Sequence, residues 1–143
     1  WRTDVMQLIV APDHAFASTK EPIDPRQLDH EVLILREPGS GSREVVTQAL
    51  AAHGIEPLRT LEIGSTAAIK QVVAAGLGVS IVSAVSVKDQ VQLGHLTIVA
   101  MRDVTIERTL WQLKVPSRIA MPAARVFAKM LDDRKAFPDE KPD

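Results

Sequence analysis

Val32-Leu33-Ile34-Leu35-Arg36-Glu37-Pro38-Gly39-Ser40-Gly41-Ser42-Arg43 is the stretch on which the fold turns. Its first four residues are uninterruptedly apolar, as a strand covered on both faces would be. Arg36 to Ser42 then reads as a turn that cannot be helical. Beyond it Val46, Ala49, Leu50 and His53 recur at i, i+3, i+4 and i+7 with Gly54 as a stop, so an amphipathic helix is expected over Arg43 to His53 with Ser42 as its N-cap. The result is one strand, tight turn and helix in immediate succession.

Outward from this unit the same order repeats. Arg59 to Ile63 alternates as a strand, Gly64-Ser65-Thr66 makes a turn, Ala67 to Ala75 forms a second helix closed by Gly76, and Val79 to Ser83 is a β-branched, buried strand. Val85 to Leu93 reads as helix and Leu96 to Met101 as strand. Upstream, Val5 to Ala11 alternates and runs into Pro12-Asp13, and Glu21 to Asp29 is loop. Short connections between strands and helices predict an α/β fold with a parallel or mainly parallel sheet flanked by helices. In the tail, Thr109, Trp111, Leu113 and Val115 alternate with Arg108, Leu110, Gln112 and Lys114 in a long strand that ends at Pro116. A last helix from Met121 places Ala124, Phe127, Ala128 and Leu131 on one stripe, and Phe137 to Asp143 is expected to fray.

Composition narrows the function. The 143 residues, 45% hydrophobic, suffice for one compact domain or one lobe with extensions. Seventeen basic and eighteen acidic residues leave a net charge of -1, which gives no bias toward nucleic-acid phosphates or anionic lipid. Cysteine is absent, excluding disulfides, a thiolate nucleophile and thiolate-bound metal, and without asparagine there is no glycosylation sequon. Apolar stretches are broken well short of a membrane span and the N-terminus has no export-signal pattern, so a cytoplasmic protein without a membrane partner is expected. A chain starting at Trp1 is read as a piece of a longer protein.

Two turns carry the candidate chemistry. Gly39-Ser40-Gly41-Ser42 and Gly64-Ser65-Thr66 each put glycine and hydroxyl residues between a strand's carboxyl end and a helix N-terminus. Unpaired N–H groups, a partial positive potential and side-chain hydroxyls there suit a small anion. The alternative is that Ser42 and Ser65 or Thr66 only cap their helices. Arg43 is a candidate partner for the anion, with a solvated surface arginine as its alternative. His14, His30, His53 and His95 lack metal-ligand spacing and are read as structural or surface residues. Paired acids at Asp132-Asp133 and Asp139-Glu140 are read as solvated. No P-loop, dinucleotide fingerprint or nucleophile elbow occurs, the aromatic residues are too scattered to stack bases, and no general base is evident. Neither enzyme activity, a cofactor nor a metal is expected.

Taken in order, Leu33 to Arg43, Gly54-Ile55-Glu56-Pro57, Glu62 to Lys70 and Ala75 to Ser83 resemble, in motif and spacing, the second lobe of the LysR-type effector-binding domain, a periplasmic-binding-protein-like module. Leu8 to His14 resembles that family's crossover strand, and Trp111 to Leu131 its return strand and final helix in the first lobe. The Arg36-Glu37-Pro38-Gly39-Ser40-Gly41 form resembles regulators of carbon fixation, sulfur and nitrogen metabolism. One departure is local: His14-Ala15-Phe16-Ala17 stands where the family has His-Pro-Leu-Ala. The resemblance implies a second lobe over 12–107, crossover strands and a first-lobe remnant over 1–11 and 108–136, and a tail over 137–143. It also implies a small anionic effector bound in a cleft between lobes, with Ser40, Gly41, Ser42, Ser65 and Thr66 as contacts and Gly64 in the same turn. Homo-oligomers follow too, a dimer or tetramer in the full-length regulator, with DNA bound only through an N-terminal domain outside this stretch. A transport solute receptor is the alternative, since it uses the same two-lobed clamp; an enzyme on this scaffold ranks last. Without their native lobe the stripe of Ala124, Phe127 and Leu131 and the Trp111 face are left uncovered, so a dimer or a swapped arrangement, or else further chain upstream, is expected.

Overall fold

The computed structural model describes residues 2–113 and 121–132. Its elements run β1 (Arg2–Val10), two 3₁₀ turns (Ala15–Ser18 and Pro25–His30), β2 (Val32–Leu35), α1 (Gly41–Ala52), β3 (Arg59–Glu62), α2 (Thr66–Ala74), β4 (Val79–Ser83), α3 (Ala84–Gln92), β5 (Thr97–Val99), β6 (Ile106–Leu110) and α4 (Pro122–Asp132). These fall into two compact units, Asp4–Arg108 and the described residues of Trp1–Thr3 with Thr109–Asp143.

In the first unit the sheet order is β3-β2-β4-β1-β5, with β6 also paired to β1. The apolar run of β2 explains its place. Strand side chains alternate between faces, so Leu33 and Leu35 pack with Val46 and Leu50 of α1, while Ile34 packs on the opposite face with Ile69 and Val73 of α2 and Val87 of α3. Helices therefore cover both sides, as the repeating order implies. Parallel pairing holds for β2 with β3 and β4, Leu33 facing Thr60 and Val79. The sheet is mixed, however, because β1 enters antiparallel between β4 and β5, with Met6 opposite Ser83 and Leu8 opposite Val99. That inversion has a consequence for function: the amino-terminal half of β1 lies at the edge where β4 ends.

Several element ends shift by a residue or more, β1 starting at Arg2 and not Val5; two differences change what a residue does. Helix α1 starts at Gly41, not Arg43, and its N-cap is Ser40, which makes no side-chain cap bond, so Ser42 is not the cap. Gly39 (φ 85°) turns the chain early enough for Gly41 and Ser42 to join the first helical turn, where N–H groups lack intrahelical partners in any case. At the other end Gly54 (φ 70°) closes the helix as anticipated. Its N–H reaches the Ala51 carbonyl at 2.9 Å and that of Ile55 reaches Leu50 at 3.0 Å.

The second correction concerns the late strand. It spans Ile106–Leu110, ahead of the expected Thr109 to Val115, and its shielded phase is Ile106, Arg108 and Leu110. Trp111 and Leu113 are exposed and follow the strand's end. The side chain of Asp4, almost wholly buried on β1, holds Arg108 on the inner face and so sets the parity. Lys114 to Pro116, and the tail from 137, lie outside the described residues.

Within the second unit α4 forms as expected. It buries none of its residues: Val126, Phe127 and Met130 are exposed.

Candidate anion-binding site

All three parallel strands end at one edge, and each leads into a segment that contributes to a single cavity of about 280 Å³. Its apolar floor includes Met6, Leu35, Ile69, Ile81 and Val82. Three guanidinium groups, those of Arg36, Arg43 and Arg108, line it together with Ser42 and Thr66 and with Ser80, Ser83 and Ser86, whose hydroxyl protons go to the Ile34 carbonyl, Asp4 and the Ser83 carbonyl; no carboxylate is among its lining residues. An apolar hollow with a few convergent polar groups suits a small metabolite, and this set of polar groups suits a negative one.

Each arginine is held from behind by a carboxylate that does not line the cavity. Arg36 donates from Nε and Nη2 to Glu37, at 2.7 and 2.8 Å. Arg43 donates from Nη1 to Glu62 at 2.5 Å and to the Arg36 carbonyl at 2.9 Å. Arg108 donates from Nε to Asp4 at 2.7 Å. Hydrogen bonding from Arg36 first, and from backbone second, holds the Glu37 carboxyl below the usual glutamate range; the same contact raises the Arg36 guanidinium. Such pairs fix where the cations point while leaving other N–H groups free to meet a ligand.

The arginines also set the hydroxyls. Nη1 of Arg36 donates to Thr66 Oγ1 at 3.3 Å, and Nη1 of Arg108 donates to Ser42 Oγ at 2.7 Å. A hydroxyl that accepts from a cation keeps its own proton for another acceptor, so both oxygens can donate to a ligand in the cavity. Ser42 can do this because it lies inside the first turn of α1 and is not spent as a cap. Thr66 is likewise the first residue of α2, since Ser65 takes the cap, accepting from the Ala68 N–H at 3.5 Å.

Of the residues singled out in the sequence, Ser42, Arg43 and Thr66 line the cavity; Ser40, Gly41, Gly64 and Ser65 are not among its lining residues. Arg36, Arg108 and the buried Asp4 were not singled out. For Asp4 a signal existed: it falls on the buried phase of β1 with Met6, Leu8 and Val10, where a carboxylate requires a partner. Arg108 then follows as that partner. Among the histidines, His14 Nδ1 accepts from the Phe16 N–H at 3.2 Å and His53 lies against the Ala49 carbonyl, both local backbone roles. Among the described residues no cluster of His, Asp or Glu could hold a metal, and no helix is long and apolar enough to cross a membrane.

The family described as LysR substrate binding domain matches residues 1–136. The chain is 33% identical over 119 residues to the RuBisCO operon transcriptional regulator of Acidithiobacillus ferrooxidans, covering 83% of this chain and 38% of that protein. It is 35% identical over 132 residues to the uncharacterized HTH-type transcriptional regulator YeiE of Escherichia coli K12, covering 92% and 44%. Among solved structures, the regulatory domain of CcmR from Synechocystis PCC6803 in complex with 2-PG superposes with a TM-score of 0.74 at 26% identity, covering 90% of this chain and 62% of that one. The effector-binding domain of QuiR in complex with shikimate shares the fold, with a TM-score of 0.68 at 16% identity over 89% and 59% of the two chains. The chain thus spans about two fifths of the length of these curated relatives.

Proposed function

This chain belongs to the LysR substrate-binding domain family, and on that premise we propose that its cavity takes the anionic group of a small effector whose binding adjusts transcription by the full-length regulator. One observation carries the reading: two arginines each donate to a helix-borne hydroxyl, Thr66 and Ser42, in the lining of a cavity that holds cations and no carboxylate. A small acid or phosphate ester would receive hydroxyl protons from Ser42 and Thr66 and guanidinium N–H groups from the arginines. It would settle against Leu35 and Ile69. Neither metal nor cofactor enters this scheme, and it requires no general acid or base. The relatives described above are regulators and regulatory domains, which favours a cytoplasmic regulator, acting on DNA as a homo-oligomer, over a transport receptor.

The ligand of the Synechocystis domain suggests the first compound to try. Isothermal titration with 2-phosphoglycolate is expected to give saturable binding that Thr66→Ala weakens roughly tenfold or more, the worth of a hydrogen bond to a charged group. Equal affinity for the wild type and Thr66→Ala would overturn the assignment of the site.

A further inference from the structure

Arg108 differs from the other two arginines of the cavity in what holds it. The carboxylate behind Arg36 is 44% exposed and that behind Arg43 is 48% exposed, whereas the Asp4 side chain behind Arg108 is 6% exposed. A buried carboxylate cannot relax into water, so it fixes its guanidinium more firmly than a rim carboxylate does. Asp4 is fixed in turn by Ser83, whose hydroxyl donates to Oδ1 at 2.8 Å. Arg36 spends Nε, Nη1 and Nη2 on Glu37 and Thr66. Arg108 spends Nε on Asp4 and Nη1 on Ser42, which leaves Nη2 without a protein acceptor among the described residues. This guanidinium lines the cavity, is rigidly aimed and keeps donors in hand.

Position adds a second observation. Asp4 and Arg108 are the first and last residues of their unit: the chain passes to the other unit between Thr3 and Asp4 and again between Arg108 and Thr109. The ion pair joins β1 to β6 at the residues where both strands leave.

We infer that Arg108 contacts the anionic group of the effector directly, and that its grip on Asp4 carries occupancy of the cavity to the two strands that connect the units. Arg108 is thus an effector-binding residue, and Asp4 is a positioning residue acting through it. An anion accepting from Nη2 shares the guanidinium's positive charge with Asp4, so its arrival weakens the charge-assisted bond that ties β1 to β6. The inference rests on the anion reading above.

The test uses the full-length protein, with inorganic phosphate as the anion, calorimetry for affinity and hydrogen–deuterium exchange for the strands. In the wild type, phosphate is expected to bind and to change exchange in the peptides covering Asp4 to Leu8 and Ile106 to Leu110. Arg108→Gln should weaken phosphate binding roughly tenfold or more, and Arg108→Lys should recover part of that loss. Because Arg108→Gln strands the Asp4 carboxylate, the Asp4→Asn/Arg108→Gln double variant accompanies it and should be as weak. Asp4→Asn alone should weaken phosphate binding less than Arg108→Gln does, because the guanidinium stays but is held less firmly, and should still alter exchange at the start of α2 while losing the phosphate response of β1 and β6. A purely structural pair would lower stability without separating these readouts. If Thr66→Ala loses phosphate while the Arg108 variants, the double variant included, bind it as the wild type does, the inference falls and the anion site stands. If the wild type binds no phosphate, or binds it no better than Thr66→Ala, the site reading falls and this inference with it.

Discussion

A hydroxyl that accepts a hydrogen bond from a guanidinium still has its proton to give, and Ser42 and Thr66 are both placed in this way. Ser42→Ala should therefore cost anion affinity, about 1.5–3 kcal/mol if the hydroxyl donates to a charged group, and little stability, because this serine caps nothing. A melting curve beside the titration separates the two effects; a variant that melts early yet binds normally would contradict the role given to the hydroxyl. Glu37 offers a test in pH. Its folded pKa is below its unfolded one, so its pairing with Arg36 contributes above the ordinary glutamate range and is lost as the pH falls through the depressed value. Carbon-13 NMR should place the Glu37 midpoint below that of a free glutamate, and Arg36→Gln should bring it back up; an ordinary midpoint in the wild type would count against the pair. At this scale the sequence exposed hydroxyls and glycines, because turns announce themselves locally. It concealed Arg108, whose meaning depends on Asp4, a residue 104 positions away.

Helices and strands were legible where burial dictates pattern. The apolar run of Val32 to Leu35 required cover on both faces, and Leu33 and Ile34 pack into opposite cores. Gly54 and Gly76 ended their helices where expected because each holds a positive φ. Pairing direction was not legible, since alternation in β1 is the same whether its neighbours run with it or against it; long-range register decides. The start of α1 was hidden for a different reason, as glycine and serine are common both in turns and in first helical turns. Close packing at the mouth of β4 gives an element-scale prediction. A Cβ on Gly78 would lie 2.5 Å from the Val32 carbonyl oxygen, so Gly78→Ala should push β2 from β4. The expected cost is about 1–3 kcal/mol by chemical denaturation, as for other overpacked sites. Unchanged stability would mean that the strands are not held at this spacing.

For the whole molecule, the exposed faces are as telling as the cavity. Val126, Phe127 and Met130 stand exposed on α4, and Trp111 and Leu113 are exposed nearby in sequence. Apolar surface of this kind favours association in water, so analytical ultracentrifugation should find this chain self-associating, and Phe127→Glu with Met130→Lys should shift it toward monomer. A wild-type chain that stays monomeric at every concentration reached would contradict this. The central claim, a cavity that receives an anion on hydroxyls held by arginines, is tested most directly by diffraction from crystals soaked in selenate. The anomalous map should show one strong selenium peak roughly 4 Å from both Ser42 Oγ and Thr66 Oγ1, one Se–O bond beyond hydrogen-bonding distance, on the side facing Arg108. An empty cavity in crystals that show selenate elsewhere, or a peak against the cavity's apolar floor, would contradict it.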